Sequence, residues 1–499
     1  MSGYKPHPAP APLLIGFDPV IDLPSDHLAY LVDAIVDEAI VPEPKAFAPG
    51  QPQYDPRMLY KVLLYSMLTG VHSSRRMEAN CRENLPFLLL VRDDRPSYHA
   101  LSTARLEGKA TLKELFVRLD RFALKAGMPR VGRISIDSSK FAASASKDSV
   151  VERKDYDAVL AEFDAILAKV AEVDAREDAE NLPSHSRTGI SQAQMRDILR
   201  SVGKDRANEV QLSKQMVKRV EDGVKTIQKA KAEKLSHVSL TDPDARMMPI
   251  GVAKKTRMGH MFEAVTDSGL LLVAETGNHQ SDNDRLIPLV EMALDVSSSV
   301  PVTQVSADSG YYQGGSVKRL LDTGLDVVVP DSVTAGELRR PAVSPTTPAP
   351  EFTPVEGQDA YICPKGNILK FKGQTENGGQ RFTKYLATDE CLSCSLASAC
   401  LQKPNAKRRN LTIGEFKDEL ATYLKRFKDP EVLKAYNARG PAVETVFAVI
   451  HSVLGFHQWH LRGEKGVAAE GALLSCAYQL KKIQVYLRKT GKTFAQVMG

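Results

Sequence analysis

The period of the hydrophobic positions changes along the chain, and the changes divide it. Over residues 55–125 it is helical. In "DPRMLYKVLLYSMLTG" Leu59, Val62, Leu63 and Met67 share a face, with Asp55 placed as N-cap, Pro56 at the first helical position and Gly70 as the stop. "SSRRMEANCREN" predicts a second helix behind a Ser cap, and "TLKELFVRLDRFALKAG" a third ending at Gly127. From residue 131 the period becomes two. "VGRISIDSS" sends Val131, Arg133, Ser135 and Asp137 one way and Ile134 and Ile136 the other, which predicts a strand. "HMFEAVTD" (260–267) and "GLLLVAETG" (269–277) predict two more, joined through the hairpin signal Asp-Ser-Gly.

"SDNDRLIPLVEMALDV" then predicts a helix behind a Ser281/Asp284 capping box. A strand over 300–308, a short helix closed by Gly324 and a strand in "LDVVVPDS" follow. Two long helical patterns come late, "EVLKAYNARGPAVETVFAVIHSVLG" and "VAAEGALLSCAYQLKKIQVYLRK". Pro441 is taken as the start of the helix that carries Glu444, which puts Glu444 in its first turn. A strand, a hairpin and then alternating helices and strands describe an α/β fold, a mixed sheet with helices on both faces. An all-helical N-terminal unit precedes it.

Two stretches interrupt the sheet. Residues 148–240 are highly charged and helical, with one stripe through Leu160, Phe163, Leu167, Val170 and Val173 and another through Met216, Val220, Val224 and Ile227. A turn signal, "LPSHSRTGIS", lies between them. This predicts a helical hairpin, either a surface excursion or an arm for dimerisation or DNA contact. Residues 334–428 begin as a Pro-rich linker and continue into a Cys-bearing insertion. The expected domains are 20–127, then 128–333 with 429–490, interrupted by 148–240 and 334–428.

Composition narrows the class. The 499 residues are 43% hydrophobic and 25% charged, which is ordinary for a folded chain. No apolar run approaches a membrane span, and the first residues lack a cationic start followed by an apolar core, so a cytoplasmic protein is expected. The net charge of +5 is modest. The basic residues are nevertheless clustered, in "SSRR" (Arg75, Arg76), "KKTRMGH", "KPNAKRRN" (Lys403, Lys407, Arg408, Arg409) and "YLKRFK". Such patches suit a phosphate backbone, although any one alone is more often a solvated face.

Candidate chemistry lies at the strand ends. In "QVSADSGYYQG" a β-like run ends on Asp308 with no basic neighbour. Asp137 ends another strand that a sheet of this order can place alongside. One strand-end Asp is usually a turn former. Two side by side repel, and a divalent cation removes the penalty. Glu444 is the candidate third acid. Of the six cysteines, Cys363, Cys391, Cys394 and Cys400 fall within one short stretch. They could hold a structural Zn²⁺ or remain four reduced thiols. Trp459 is the only tryptophan, with packing or base stacking as its two possible roles.

These pieces resemble the insertion-sequence transposases of the DDE type. "YNARGPAVETVFAVIH" resembles their Tyr–Arg–Glu–Lys signature, read as Tyr436, Arg439 and Glu444, with His451 where the Lys is expected. "SADSGYYQG" resembles the block of the second Asp, "LTDPDARMM" and "GHMFEAVTDSGLLLVAETGNHQSDNDRL" the stretch before it, and "YDPRMLYKVLLYSMLTGVHSSRRMEANCREN" the N-terminal helical domain. The resemblance implies a ribonuclease-H-like catalytic domain in which Asp137, Asp308 and Glu444 bind two Mg²⁺ or Mn²⁺ ions. It implies cleavage and strand transfer at the inverted ends of an element and into target DNA, by a homo-oligomer associated with the nucleoid. Tyr436, Arg439, His451, Arg75, Arg76, Arg408 and Arg409 are the expected DNA contacts. A DNA-binding descendant without catalysis, and a metal-dependent nuclease without strand transfer, stay open as alternatives.

Overall fold

A computed structural model describes residues 23–24, 26–40, 53–179, 214–251, 255–297, 300–339, 351–377, 379–401 and 406–498. The turn signal at 182–191, residues 340–350 of the Pro-rich linker, Lys254 and Lys403 lie outside the described residues.

Among the described residues six helices precede the first strand. They run over Leu28–Ala39, Pro56–Leu68, Ser74–Glu83, Leu85–Val91, Tyr98–Glu107 and Lys109–Lys125. The second starts as its sequence predicts, with the Arg57 N–H donating to Asp55 Oδ1 (2.8 Å) and Pro56 in the first turn. Lys61 is fully buried and is held by Asp33 (2.6 Å) and Asp37 (2.7 Å) of the first helix.

Strand β1 (Arg133–Ala142) follows, longer than its alternating run. The first interruption then leaves the sheet. Its foot is a small ribbon of β2 (Val150–Glu152) and β3 (His237–Ser239), paired antiparallel. Between them rise the helices Tyr156–Ala179 and Lys214–Ala232. They pack through Val159, Phe163, Val220 and Ile227. Gly223 permits that approach, since a Cβ there would lie 2.7 Å from the Phe163 ring.

The sheet resumes with β4 (Arg246–Ile250), β5 (Lys255–Asp267), β6 (Leu270–Gly277), β7 (Gln304–Ala307) and β8 (Asp326–Val328). β5 pairs antiparallel with β1, β4 and β6, while β1–β7 and β7–β8 are parallel. The β5–β6 turn is the predicted one, with Ser268 (φ 53°) and Gly269 (φ 78°) both left-handed.

Helix Leu286–Val296 covers one face of the sheet over Ile134, Ile136, Val265 and Val305. It begins later than the sequence predicts. Its N-cap is Arg285, without a side-chain cap bond, so no Ser281/Asp284 capping box forms. The other face, at Phe141, Phe262 and Ala264, meets helix Pro430–Ser452. Helix Gly463–Thr490 lies between the sheet and the N-terminal helices and is buried on almost every side. The second interruption forms its own five-stranded sheet, β9 (Thr353–Pro354), β10 (Ala360–Ile362), β11 (Ile368–Asn377), β12 (Gln380–Leu386) and β13 (Asn410–Gly414).

A buried ion pair joins the N-terminal unit to the rest. Arg105 bonds Glu470 of the C-terminal helix. Glu470 Oε2 also accepts from the His460 (2.8 Å) and Leu461 (3.0 Å) N–H groups. Removing one partner leaves a buried charge unmatched. Glu470→Ala is therefore expected to destabilise the protein by about 3–5 kcal/mol, and Glu470→Gln by less, measured by denaturant unfolding.

Candidate active site

Strand register places the two aspartates. β1 and β7 run parallel from Arg133↔Gln304 to Ile136↔Ala307. Asp137 and Asp308 are the next residues on each, so they stand level at the carboxyl ends of the paired segments. Asp137 does not end its strand, as the sequence suggested. β1 continues to Ala142 against β5, with an isolated bridge to Gln458 at Ala142, because β7 stops at Ala307. One layer below, the Ser135 and Ser306 hydroxyls meet at 3.1 Å and fasten the strands.

Asp308 caps a single 3-10 turn, Ser309–Tyr311, by accepting the Gly310 N–H at Oδ1 (2.8 Å). Asp137 Oδ1 accepts from the Ser138 N–H (2.8 Å), and its Oδ2 lies 3.5 Å from Arg439 Nη1. Burial pushes the Asp137 carboxyl up to about 6. Asp308 and Asp282 add to the rise, while Arg439 and the Ser138 N–H oppose it.

Asp282 was not singled out from the sequence, where it was absorbed into the capping-box pattern. It accepts the Ser138 hydroxyl at Oδ1 (2.8 Å). Burial raises its carboxyl too, with Asp308 and Glu263 contributing and Ser138 and Lys140 opposing. A Cβ built on Gly310 would lie 3.0 Å from Asp308 Oδ1 and 3.4 Å from Asp282 Oδ2. The sequence did hold a signal: an acid in the short link after β6, before a helix that starts only at Leu286.

The Glu444 helix begins at Pro430, with Asp429 as its N-cap, so Pro441 is internal and Glu444 lies in the second half. The first-turn placement is therefore incorrect. Asp429 already provides the start, and an internal Pro forfeits only one backbone bond when neighbouring helices and strands hold the segment. Thr266 Oγ1 of β5 donates to the Ala442 carbonyl (3.3 Å). Glu444 is exposed, and its Oε1 lies 3.2 Å from where a Gly440 Cβ would stand. Arg439, one turn earlier, is the residue of this helix that reaches Asp137. It also lies over the Tyr436 ring (5.7 Å), and its Nε and Nη1 are buried without hydrogen-bond partners. Tyr436 packs edge-on against Phe427 at 6.0 Å.

His451 stacks on Phe141 (4.8 Å) and on His457 (5.5 Å). Burial lowers its pKa, and His457 lowers it further. Trp459 takes the packing role. It is fully buried, and its indole N–H donates to the His260 carbonyl (3.3 Å). Arg75 and Arg76 are exposed, with Arg75 over the Tyr98 ring. Arg408 is exposed, whereas Arg409 donates to the Cys400 carbonyl (2.7 Å) and lies over Phe352.

The four clustered cysteines converge. Cys363, Cys391, Cys394 and Cys400 line one cavity of about 20 Å³ together with Phe352, Leu369 and Arg409. A tight turn holds Cys363, whose carbonyl accepts the Gly366 N–H (2.8 Å). Burial raises the Cys400 thiol, Arg409 opposes that, and the other three cysteines reinforce it. Among the described residues no three His, Cys, Asp or Glu side chains are grouped closely enough to hold a metal ion without moving. The donor sets still suit their ions. Carboxylates around the Gly310 gap match a hard, oxygen-preferring cation, and four thiols around one small cavity match zinc.

The raised pKa has a signed consequence. Folded Asp137 binds its proton more tightly than the unfolded chain does, so its contribution to stability is lost as pH rises from about 4 to about 6. Asp137→Asn is expected to stabilise the cation-free protein at pH 7 by about 1–3 kcal/mol. That gain should vanish below about pH 4, and thermal unfolding across pH measures it.

Two family models match the chain. One, described as "Transposase domain (DUF772)", covers residues 20–107, the N-terminal helices. The other, described as "Transposase DDE domain", covers 362–484, from the first clustered cysteine through the Glu444 helix into the C-terminal helix. No curated protein matches. The two matches flank the sheet that carries Asp137 and Asp308, and in this order they place the chain in the family of insertion-sequence DDE transposases.

Proposed function

We propose that this transposase binds the inverted ends of its element and catalyses metal-dependent strand cleavage and strand transfer, with Asp137, Asp308 and Glu444 as its acid triad. The observation that carries this is the level placement of Asp137 and Asp308 at the point where β7 leaves the sheet. Glu444 belongs to the helix that packs on that face, and this reading requires its exposed side chain to turn toward the two aspartates. The strand order β6-β5-β1-β7-β8, antiparallel on one side of β1 and parallel on the other, supports a ribonuclease-H-like catalytic domain.

The site is built to bring acids together at an open edge. The Gly310 N–H orients Asp308, and the Ser138 N–H orients Asp137. Asp137, Asp308 and Glu444 would hold two divalent cations there, which would supply an activated water or 3′-hydroxyl and charge stabilisation for the departing oxygen. Arg439 is poised for a phosphate. Its fork lies beside Asp137 with two nitrogens unbonded, and a guanidinium pairs with phosphate oxygens in that manner. Tyr436, in edge contact with Phe427, is a DNA contact and not a nucleophile. His451, which burial holds toward its neutral form, offers a weaker phosphate contact than a lysine would. Arg75, Arg76 and Arg408 present charge to the DNA backbone. Arg409 contributes chiefly by holding the cysteine module together.

Cys363, Cys391, Cys394 and Cys400 are the proposed ligands of a structural Zn²⁺, around a cavity they share with Phe352 and Arg409. The active form is an oligomer assembled on DNA, with the arm of residues 148–240 as extra surface for that assembly.

Cleavage of a labelled element-end duplex in Mg²⁺ tests the triad. Asp308→Ala should reduce cleavage by more than the ~10–100-fold of an outer-shell change while leaving duplex binding intact. Undiminished cleavage would remove Asp308 from the site. For the cysteine module, elemental analysis should find one zinc per chain, lost on Cys394→Ser. Purified wild-type protein without zinc would end that assignment.

A further inference from the structure

Asp282 enters the candidate site from the face opposite to Glu444. Side chains alternate along β1, so Asp137 faces the Glu444 helix and Ser138 faces the other way. On Ser138's side stands Asp282, in the short link between β6 and helix Leu286–Val296. Its Oδ1 is fixed by the Ser138 hydroxyl at 2.8 Å. Its Oδ2 borders the point above Gly310 that Asp308 Oδ1 borders from the other side. Glycine is the only residue that leaves this gap open, and the gap is where an oxygen-bound cation would touch both acids.

A second observation points to a guest at the same place. Tyr311 is fully buried, and its hydroxyl, whose nearest side-chain partner is Ser138, makes no hydrogen bond of good geometry. It lies within electrostatic reach of Asp282, Glu263 and Asp137. The nearby Ser138 hydroxyl donates to Asp282. Glu263 is itself saturated, with Arg285 bonding both of its oxygens at 3.0 Å and His279 at 3.2 Å. A buried phenol left over in a pocket of carboxylates is matched by a metal-bound water, which can both donate and accept.

We propose that Asp282 is a fourth carboxylate of the cation site, held in place by Ser138 and sharing the Gly310 gap with Asp308. This rests on the cation-site assignment above. It adds a ligand from the opposite face of the sheet, so the strand ends are gripped from both sides. Ser138 is then a positioning residue that acts only through Asp282.

The test needs neither DNA nor turnover. Mn²⁺ binding to the full-length protein is followed by the electron-spin resonance of free Mn²⁺, together with the Mn²⁺-induced rise in unfolding temperature. Asp282→Asn should weaken Mn²⁺ affinity by about 10-fold or more and shrink the thermal shift, while leaving the metal-free unfolding temperature unchanged or higher. Ser138→Ala keeps the carboxylate and loses only its clamp, so a smaller loss of affinity is expected. Wild-type affinity in Asp282→Asn alongside lost affinity in Asp308→Asn would overturn the proposal and leave the triad standing. Wild-type affinity in Asp308→Asn would instead overturn the cation-site assignment itself. Should Asp282→Asn fail to fold, wild-type affinity in Ser138→Ala would by itself overturn the role given to Asp282.

Discussion

Everything at the candidate site follows from two parallel strands of unequal length. β7 and β1 stay in register for four residues, and then β7 turns away at Asp308 while β1 runs on to Ala142. The turn leaves an open edge at the carboxyl ends of the strands, where ligands of open α/β sheets bind. It also sets two carboxylates level with little water around them. Such a pair is unfavourable unless something positive stands between or beside it. In the free protein that role falls to Arg439, and only weakly, at 3.5 Å from Asp137. The Ser135–Ser306 contact and the buried Ile134, Ile136 and Val305 below make the edge rigid enough to bear the repulsion.

Most of the chain supports that edge. The β5–β6 hairpin beside β1 is held from behind by the C-terminal helix, where Tyr478 donates to the Gly269 carbonyl (2.9 Å) and Gln479 accepts the Leu271 N–H (3.2 Å). Trp459 locks the end of β1, its backbone N–H donating to the Ala142 carbonyl at 2.8 Å. The N-terminal helices are not an appendage. They share one continuous core with the C-terminal helix and are fastened to it by Arg105 and Glu470.

The sequence made the elements legible and their joints much less so. The β5–β6 hairpin and the Asp55 cap are local events, decided by a few neighbouring residues, and their signals were unambiguous. The level placement of Asp137 and Asp308 needed only the inference that their strands are neighbours. Asp282 was hidden because Ser-x-x-Asp before an apolar run is also how a helix starts. Choosing between a cap and a site acid depends on Ser138, which is 144 residues away in sequence. Pro441 misled for a similar reason. As a local signal it starts a helix, but Asp429 had already started one, and contacts with β5 carry the chain through. Of the positions that broke local rules, Asp282 borders the acids directly and Pro441 lies in the helix that carries Arg439 and Glu444.

Arg439 and Glu444 share one helix and compete for one neighbourhood. With no cation between the acids, the guanidinium lies by Asp137 and the Glu444 carboxylate rests against Gly440. The arrangement is electrostatically sensible, because a third carboxylate moved toward Asp137 would add its repulsion to the burial that already raises the Asp137 carboxyl. Once positive charge sits between the aspartates the balance reverses. In the proposed cation-bound state Asp137 would no longer need Arg439, Glu444 would gain by turning inward, and the guanidinium, with two nitrogens unbonded, would be free for the nearest anion. In the proposed reaction that anion is the DNA phosphate. The same charge that completes the acid site would thus also free the arginine that binds its substrate, so cation and DNA binding would reinforce each other through a single turn of helix.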